Sequence, residues 1–237
     1  MTYTFSDVYG FAGGFSLGMV QSGFQMMAKR ETSTFGFKPT LANRHLLGDT
    51  WEPQEAAPSR WPDWDIVKTD VVAGNPPCSG FSALSSKTYR GVNSPANECM
   101  WAFESYVARA QPTIAVFESV SQAYTGGLSL MRQLREKLES DTGIQYNLYH
   151  VKHNGLGVGG AAIRPRYFWL VSQIPFGVEL EEPERVPTIL ESIGDLSGLR
   201  VQWEPQTYAR EATWWSESRR NPAGTVDGHM TRNSVHA

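Results

Sequence analysis

The chain has 237 residues, enough for one generous domain or one domain with an attached fragment. Its 41% hydrophobic content supports a packed core, yet no apolar run approaches the roughly 18 residues a membrane span needs, and Met1 to Asp7 lacks the basic-then-apolar order of a signal peptide. Two cysteines, Cys78 and Cys99, exclude a disulfide framework or a cysteine-rich zinc site and fit a reducing cytoplasm, while a net charge of −3 leaves room only for a locally basic nucleic-acid cleft.

Taken in chain order, Thr4 to Tyr9 is expected to form a first strand, and Gly13-Gly14 turns into a helix ending near Gly23. Phe24 to Ala28 reads as a second strand with Glu31 just beyond its end. From Thr32 to Asp65 the pattern weakens. Pro53, Pro58 and Pro62, together with Trp51, Trp61 and Trp64, predict a long irregular connection. Val71 to Ala73 is a short buried strand that Pro76-Pro77 must end, because proline cannot donate to a sheet ladder. Pro95 to Ala110 reads as a helix and Thr113 to Phe117 as a strand. Leu130, Met131, Leu134 and Leu138 mark Leu128 to Ser140 as an amphipathic helix. Tyr146 to Val151 and Tyr167 to Val171 would close the sheet. This alternation argues for a mainly parallel, doubly wound sheet. After Pro175 the chain becomes polar, with a linker at Glu179 to Glu184 and a short helix expected over Pro187 to Leu196.

Chemistry concentrates in three segments. Asp7-Val8-Tyr9-Gly10-Phe11-Ala12-Gly13-Gly14-Phe15 is a glycine turn between strand and helix, where backbone can approach a ligand and a helix N-terminus favours a negative group. Gly74-Asn75-Pro76-Pro77-Cys78-Ser79-Gly80-Phe81-Ser82 presents Cys78 on a stiff turn at a strand's C-terminal edge, the edge where open α/β sheets bind ligands. Phe117-Glu118-Ser119-Val120 ends the neighbouring strand with an acid. Glu31 reads either as a ribose-binding acid or as a solvated charge. Cys99, in a helix, is explained by packing.

In this order and spacing the three segments resemble the DNA cytosine-C5 methyltransferases, over a stretch from about Thr4 to about Gln173. The resemblance implies a class I methyltransferase (Rossmann-like) α/β fold, doubly wound and mostly parallel, with an antiparallel last strand. It implies S-adenosylmethionine as cofactor and duplex DNA with a flipped cytosine as partner. Cys78 would add to C6 and Glu118 would serve the Watson–Crick edge. Arg164 would hold O2, and Arg166 would contact a phosphate or brace the turn. Asp7, Tyr9, Gly13, Gly14, Glu31, Asn75 and Pro76 would form the cofactor pocket, with Asp49 or its rival Asp65 at the adenine.

The departures from the family are specific. Tyr9 replaces a phenylalanine, Phe11 a glycine, Ser79 a glutamine, Ser119 an asparagine and Ala162 a glutamine. Ser79 to Arg90 is expected to act as a lid. Residues 1–175 are read as the catalytic domain, and 176–237 as a linker and the truncated or minimal start of a target-recognition region, with a second chain as a candidate source of recognition. Methylation of cytosine in RNA or a nucleotide, and a non-catalytic remnant that binds DNA or a partner, remain as alternatives. No metal site is expected. The resemblance fits restriction–modification in a bacterial or phage-infected cytoplasm.

Overall fold

Thr4–Val8 (β1) is the axis of the sheet, pairing in parallel with Gln25–Glu31 (β2) on one side and Val71–Gly74 (β4) on the other. The computed structural model describes residues 2–56, 63–82, 87–180, 183–188, 191–192 and 223–224. Beyond β2 lies Glu52–Glu55 (β3), and beyond β4 lies Ile114–Val120 (β5), both parallel to their neighbours. With Asn147–Asn154 (β6) and Pro165–Ser172 (β8) the seven-stranded order is β3-β2-β1-β4-β5-β8-β6. Gln173, just past β8, donates its N–H to Thr113 O at the start of β5, and Asn147 Nδ2 at the start of β6 reaches Ser172 O. The end of β8 thus lies beside the beginnings of both neighbours, so β8 runs antiparallel to them. This is the doubly wound α/β sheet that the strand-helix alternation and the resemblance predict.

Alternation along the strands builds two apolar layers. Phe5, Met26, Val71 and Ala73 point to one face, where Gly14–Gln21 (α1) lays Phe15, Leu17, Met19 and Val20 on them. Val8, Val72, Ala115 and Phe117 point to the other, covered by Glu98–Ala110 (α4) and, after the short Gln122–Gly126 (α5), by Leu128–Thr142 (α6). The apolar stripe of α6 is buried as its periodicity predicts, with Leu134 and Leu138 fully covered.

The stretch from Thr32 to Asp65 corrects the expectation of an irregular connection. It carries Thr34–Ala42 (α2), Arg44–Leu47 (α3) and β3. Pro39 sits inside α2 and hides it from a propensity reading. β3 reads Glu-Pro-Gln-Glu, a polar edge strand in which proline is tolerated. Trp51 and Trp64 are core residues on opposite faces. Arg44 lies 4.6 Å over the Trp51 ring, and Trp64 meets Tyr9 edge-on at 4.7 Å.

The second strand also runs further than expected, through Lys29, Arg30 and Glu31, all buried. Lys29 Nζ pairs with Asp7 Oδ2 at 2.8 Å across the β1–β2 register. Arg30 binds Asp65 O at 3.0 Å and Glu52 O at 2.8 Å, tying β3 to β2. β5 likewise continues to Val120, so Glu118 lies within the strand.

Two compact units result, Met1–Lys152 with Tyr167–Gly177, and His153–Arg166 with Val178–Ala237. The segment 153–166, placed by sequence in the catalytic domain, groups with the second unit. There Ala162–Ile163 (β7) pairs in parallel with Ala223–Gly224 (β9). The helix expected over Pro187 to Leu196 lies largely outside the described residues. Among the described residues no helix is long and apolar enough to cross a membrane, and no cluster of three or more His, Cys, Asp or Glu could hold a metal ion.

Candidate active site

Parallel strands end together, so the C-termini of β1, β2, β4 and β5 carry the chemistry onto one edge of the first unit. After β1 the chain makes a tight loop in which Tyr9 and Phe11 both take left-handed backbone angles, φ 62° and 48°. A Cβ on Gly10 would collide with the Asp7 carboxylate, so the loop closes over Asp7 only with glycine there. Asp7 itself accepts from Lys29 and from the Ser16 hydroxyl of α1. Its Oδ1 is buried with no partner among the described residues.

Glu31, expected to bind a ribose, is 3% exposed and holds this loop. Oε2 accepts from Phe11 N at 2.6 Å, while Oε1 accepts from Thr32 N at 2.8 Å and Ser33 N at 2.9 Å. Phe11 is further fixed by Thr40 Oγ1, which donates to its carbonyl at 3.0 Å. Gly36 packs so closely beneath that a Cβ there would stand 2.7 Å from the Phe11 backbone. A phenylalanine in place of the family glycine is therefore accommodated by a glycine in α2. Gly13 begins α1 in a left-handed conformation (φ 90°) with no side-chain cap, which leaves first-turn N–H groups without a side-chain acceptor. Gly14 has open space around it. The Tyr9 ring, assigned by sequence to the cofactor pocket, turns into the core, 2% exposed between Trp64 and the Cys99 thiol. Burial pushes the Tyr9 hydroxyl and the Cys99 thiol up from their ordinary ranges.

The cysteine turn leaves β4 at Gly74, opposite Phe117 of β5. Asn75 Nδ2 then donates to Glu118 Oε2 at 2.9 Å. Pro76 is buried, Pro77 exposed, and Cys78 half-buried against the core. Cys78 O accepts from Phe81 N at 2.9 Å, closing a turn, and the Phe81 ring anchors it in the core. Further on, Gly80 O accepts from Gly91 N at 2.9 Å, and Asn97 Nδ2 bonds the carbonyls of Gly91 and Val92, both at 2.9 Å. The base of the expected lid is thus cinched, while 83–86 at its centre lie outside the described residues.

Asp49 is not with these groups. It precedes β3, whose parallel register with β2 puts Asp49 at the opposite end of the sheet, exposed. Its rival Asp65 is exposed and bonded to Gln54. The acid that β3 delivers beside Glu31 is Glu55, which accepts from Thr34 Oγ1 at 2.5 Å. Sequence reasoning missed it because β3 has no apolar alternation.

In the second unit, Arg164 and Arg166 flank Pro165 at the start of β8. Asn154 Oδ1 accepts from Arg164 N at 2.9 Å, Arg164 O accepts from Gly155 N at 3.0 Å, and Arg166 Nη1 donates to Pro165 O.

Comparison with known proteins agrees with this geometry. Type II methyltransferase M1.HphI of Haemophilus parahaemolyticus is 27% identical over 204 residues, covering 84% of this chain and 53% of the relative. DNA (cytosine-5-)-methyltransferase M.ApeKI of Aeropyrum pernix is 31% identical over 136 residues, 50% of this chain and 29% of the relative. The chain spans about half the length, or less, of the curated relatives it matches. Among solved structures, a prophage-encoded E. coli protein described as a DNA modification methyltransferase superposes with a TM-score of 0.62 at 19% identity, covering 91% of this chain and 64% of that one. Spodoptera frugiperda DNMT2 gives a TM-score of 0.57 at 16% identity, over 92% and 69% of the two chains, a likeness of fold. With the family profile matching from residue 3 to residue 235, the chain belongs to the C-5 cytosine-specific DNA methylase family.

Proposed function

We propose that this chain transfers a methyl group from S-adenosylmethionine to C5 of cytosine in duplex DNA through a covalent Cys78 adduct. The observation that carries this reading is the proline-bounded turn that presents Cys78 at the sheet edge, beside a β5 acid tied to the same turn. The residues present suit the cofactor. The α1 N-terminus after Gly13 offers backbone donors to a carboxylate. Glu31 has three backbone donors on about four lone-pair sites, leaving one for a ribose hydroxyl. When bound, S-adenosylmethionine supplies an electrophilic methyl.

C5 of cytosine is too weak a nucleophile to take that methyl unaided. Addition of the Cys78 thiolate to C6 moves electron density through the ring, making C5 enamine-like. Charge then builds toward N3, where Glu118 gives or shares a proton. After C5 is methylated its proton passes to a solvent base, the freed electron pair re-forms the C5–C6 double bond and expels the Cys78 sulfur as thiolate, and N3 returns its proton to Glu118 as the aromatic ring is restored. C6 is unreachable inside the base stack, so the cytosine must leave the helix. Arg164 and Arg166 are assigned to O2 and to a phosphate on the resemblance.

The test is mass analysis of nucleosides after incubation with S-adenosylmethionine and either duplex DNA or RNA. Production of 5-methyldeoxycytidine is expected. Production of 5-methylcytidine alone transfers the reading to RNA, and cofactor binding with no methylated product rejects catalysis.

A further inference from the structure

Between Gly74 and Cys78 the cysteine turn has few ways to hold on to β5. Pro76 and Pro77 have no N–H, so neither can extend the β4–β5 ladder. The register ends with Gly74 opposite Phe117, which sets Asn75 against Glu118 as the next pair. Ser119, where the family has asparagine, gives no help. It is fully buried and its hydroxyl meets no partner among the described residues. Asn75 instead bridges turn and strand, its Nδ2 donating to Glu118 Oε2 at 2.9 Å.

We infer that Asn75 is a positioning residue for Glu118, its amide fixing the carboxyl beside the Cys78 turn. This rests on the proposed cytosine-C5 chemistry. An amide N–H can only donate, so Oε2 is held as an acceptor. Asn75, expected from the resemblance in the cofactor pocket, acts here through Glu118. Losing the bond removes this hold on Oε2, and misplacing a reacting group by about 1 Å costs on the order of 10²-fold in rate.

A double-mutant cycle on single-turnover methyl transfer separates the outcomes. Asn75→Ala is expected to lower the rate roughly 10- to 100-fold while KM for DNA and for S-adenosylmethionine stay within about threefold. In a Glu118→Gln background the same change should cost less than about threefold, because its effect passes through Glu118. Asn75→Asp, equal in size but unable to donate, should match or exceed the loss in Asn75→Ala, and serves if the alanine variant folds poorly. A wild-type rate in both Asn75 variants, or an equal loss with and without the Glu118 carboxyl, would overturn the inference alone. Wild-type transfer by both Glu118→Gln and Cys78→Ala would instead overturn the proposed reading of the site.

Discussion

At the scale of single residues, the acid at the end of β2 holds a loop together, and the proposed function gives it a ribose hydroxyl as well. The three backbone N–H groups that Glu31 satisfies come from the loop after β1 and from the turn into α2. Loss of the carboxylate would leave these part-buried donors without it, at about 1–3 kcal/mol each where water cannot take its place. Glu31→Ala should therefore lower stability by roughly 2 kcal/mol or more and weaken S-adenosylmethionine binding by about 1.5–3 kcal/mol. Urea melts and calorimetry below the melting range read the two effects separately. Unchanged affinity in a folded variant would confine Glu31 to supporting the loop. Cys78 lies half-buried on a turn anchored by Phe81.

At the scale of elements, buried charge organises both layers of the sheet. Lys29 and Asp7 are 0% and 1% exposed, and removing one member of such a pair strands the other without water. Lys29→Met should cost about 3–5 kcal/mol in urea denaturation, while Asp7→Leu with Lys29→Met should recover much of it. A single-variant loss under about 1 kcal/mol would show that Asp7 finds another partner. On the opposite layer, Glu104 of α4 is 1% exposed, and its nearest cation, Lys137 of α6 at 3.9 Å, also serves Asp141. Burial pushes the Glu104 carboxyl up to about 7, with Lys137 opposing and Asp141 adding to the rise. A folded value above the unfolded one means stability that is present below about pH 4.5 and lost as pH rises through about 7. Glu104→Gln should then gain on wild type by up to about 3 kcal/mol between pH 5 and pH 8. Chemical denaturation at the two pH values checks it, and a difference independent of pH would contradict it.

At the scale of the whole molecule, the legible parts were those where sequence pattern and packing agree. β1, β4 and β5 are short apolar runs between turn signals, α6 has a clean stripe, and the glycine and cysteine turns carry their own stereochemistry. Lys29, Arg30 and Glu31 concealed the end of β2, because burial of each depends on a partner elsewhere in the chain. Pro39 and the polar edge strand β3 concealed the layer after it, and with it the fact that Asp49 stands at the far end of the sheet. The Asn75–Glu118 bond was invisible for the same reason, joining positions 43 residues apart through strand register.

Covalent trapping probes the assignment of Cys78 as nucleophile. Duplex DNA carrying 5-fluorocytosine blocks the final proton loss, so a methylated adduct cannot release its sulfur. With S-adenosylmethionine present, the wild-type chain should form a denaturation-resistant complex whose cross-linked peptide contains Cys78, and Cys78→Ala should form none while remaining folded. Methyl transfer with no trapped complex, or a complex that persists in Cys78→Ala, would contradict the assignment of Cys78 as the nucleophile.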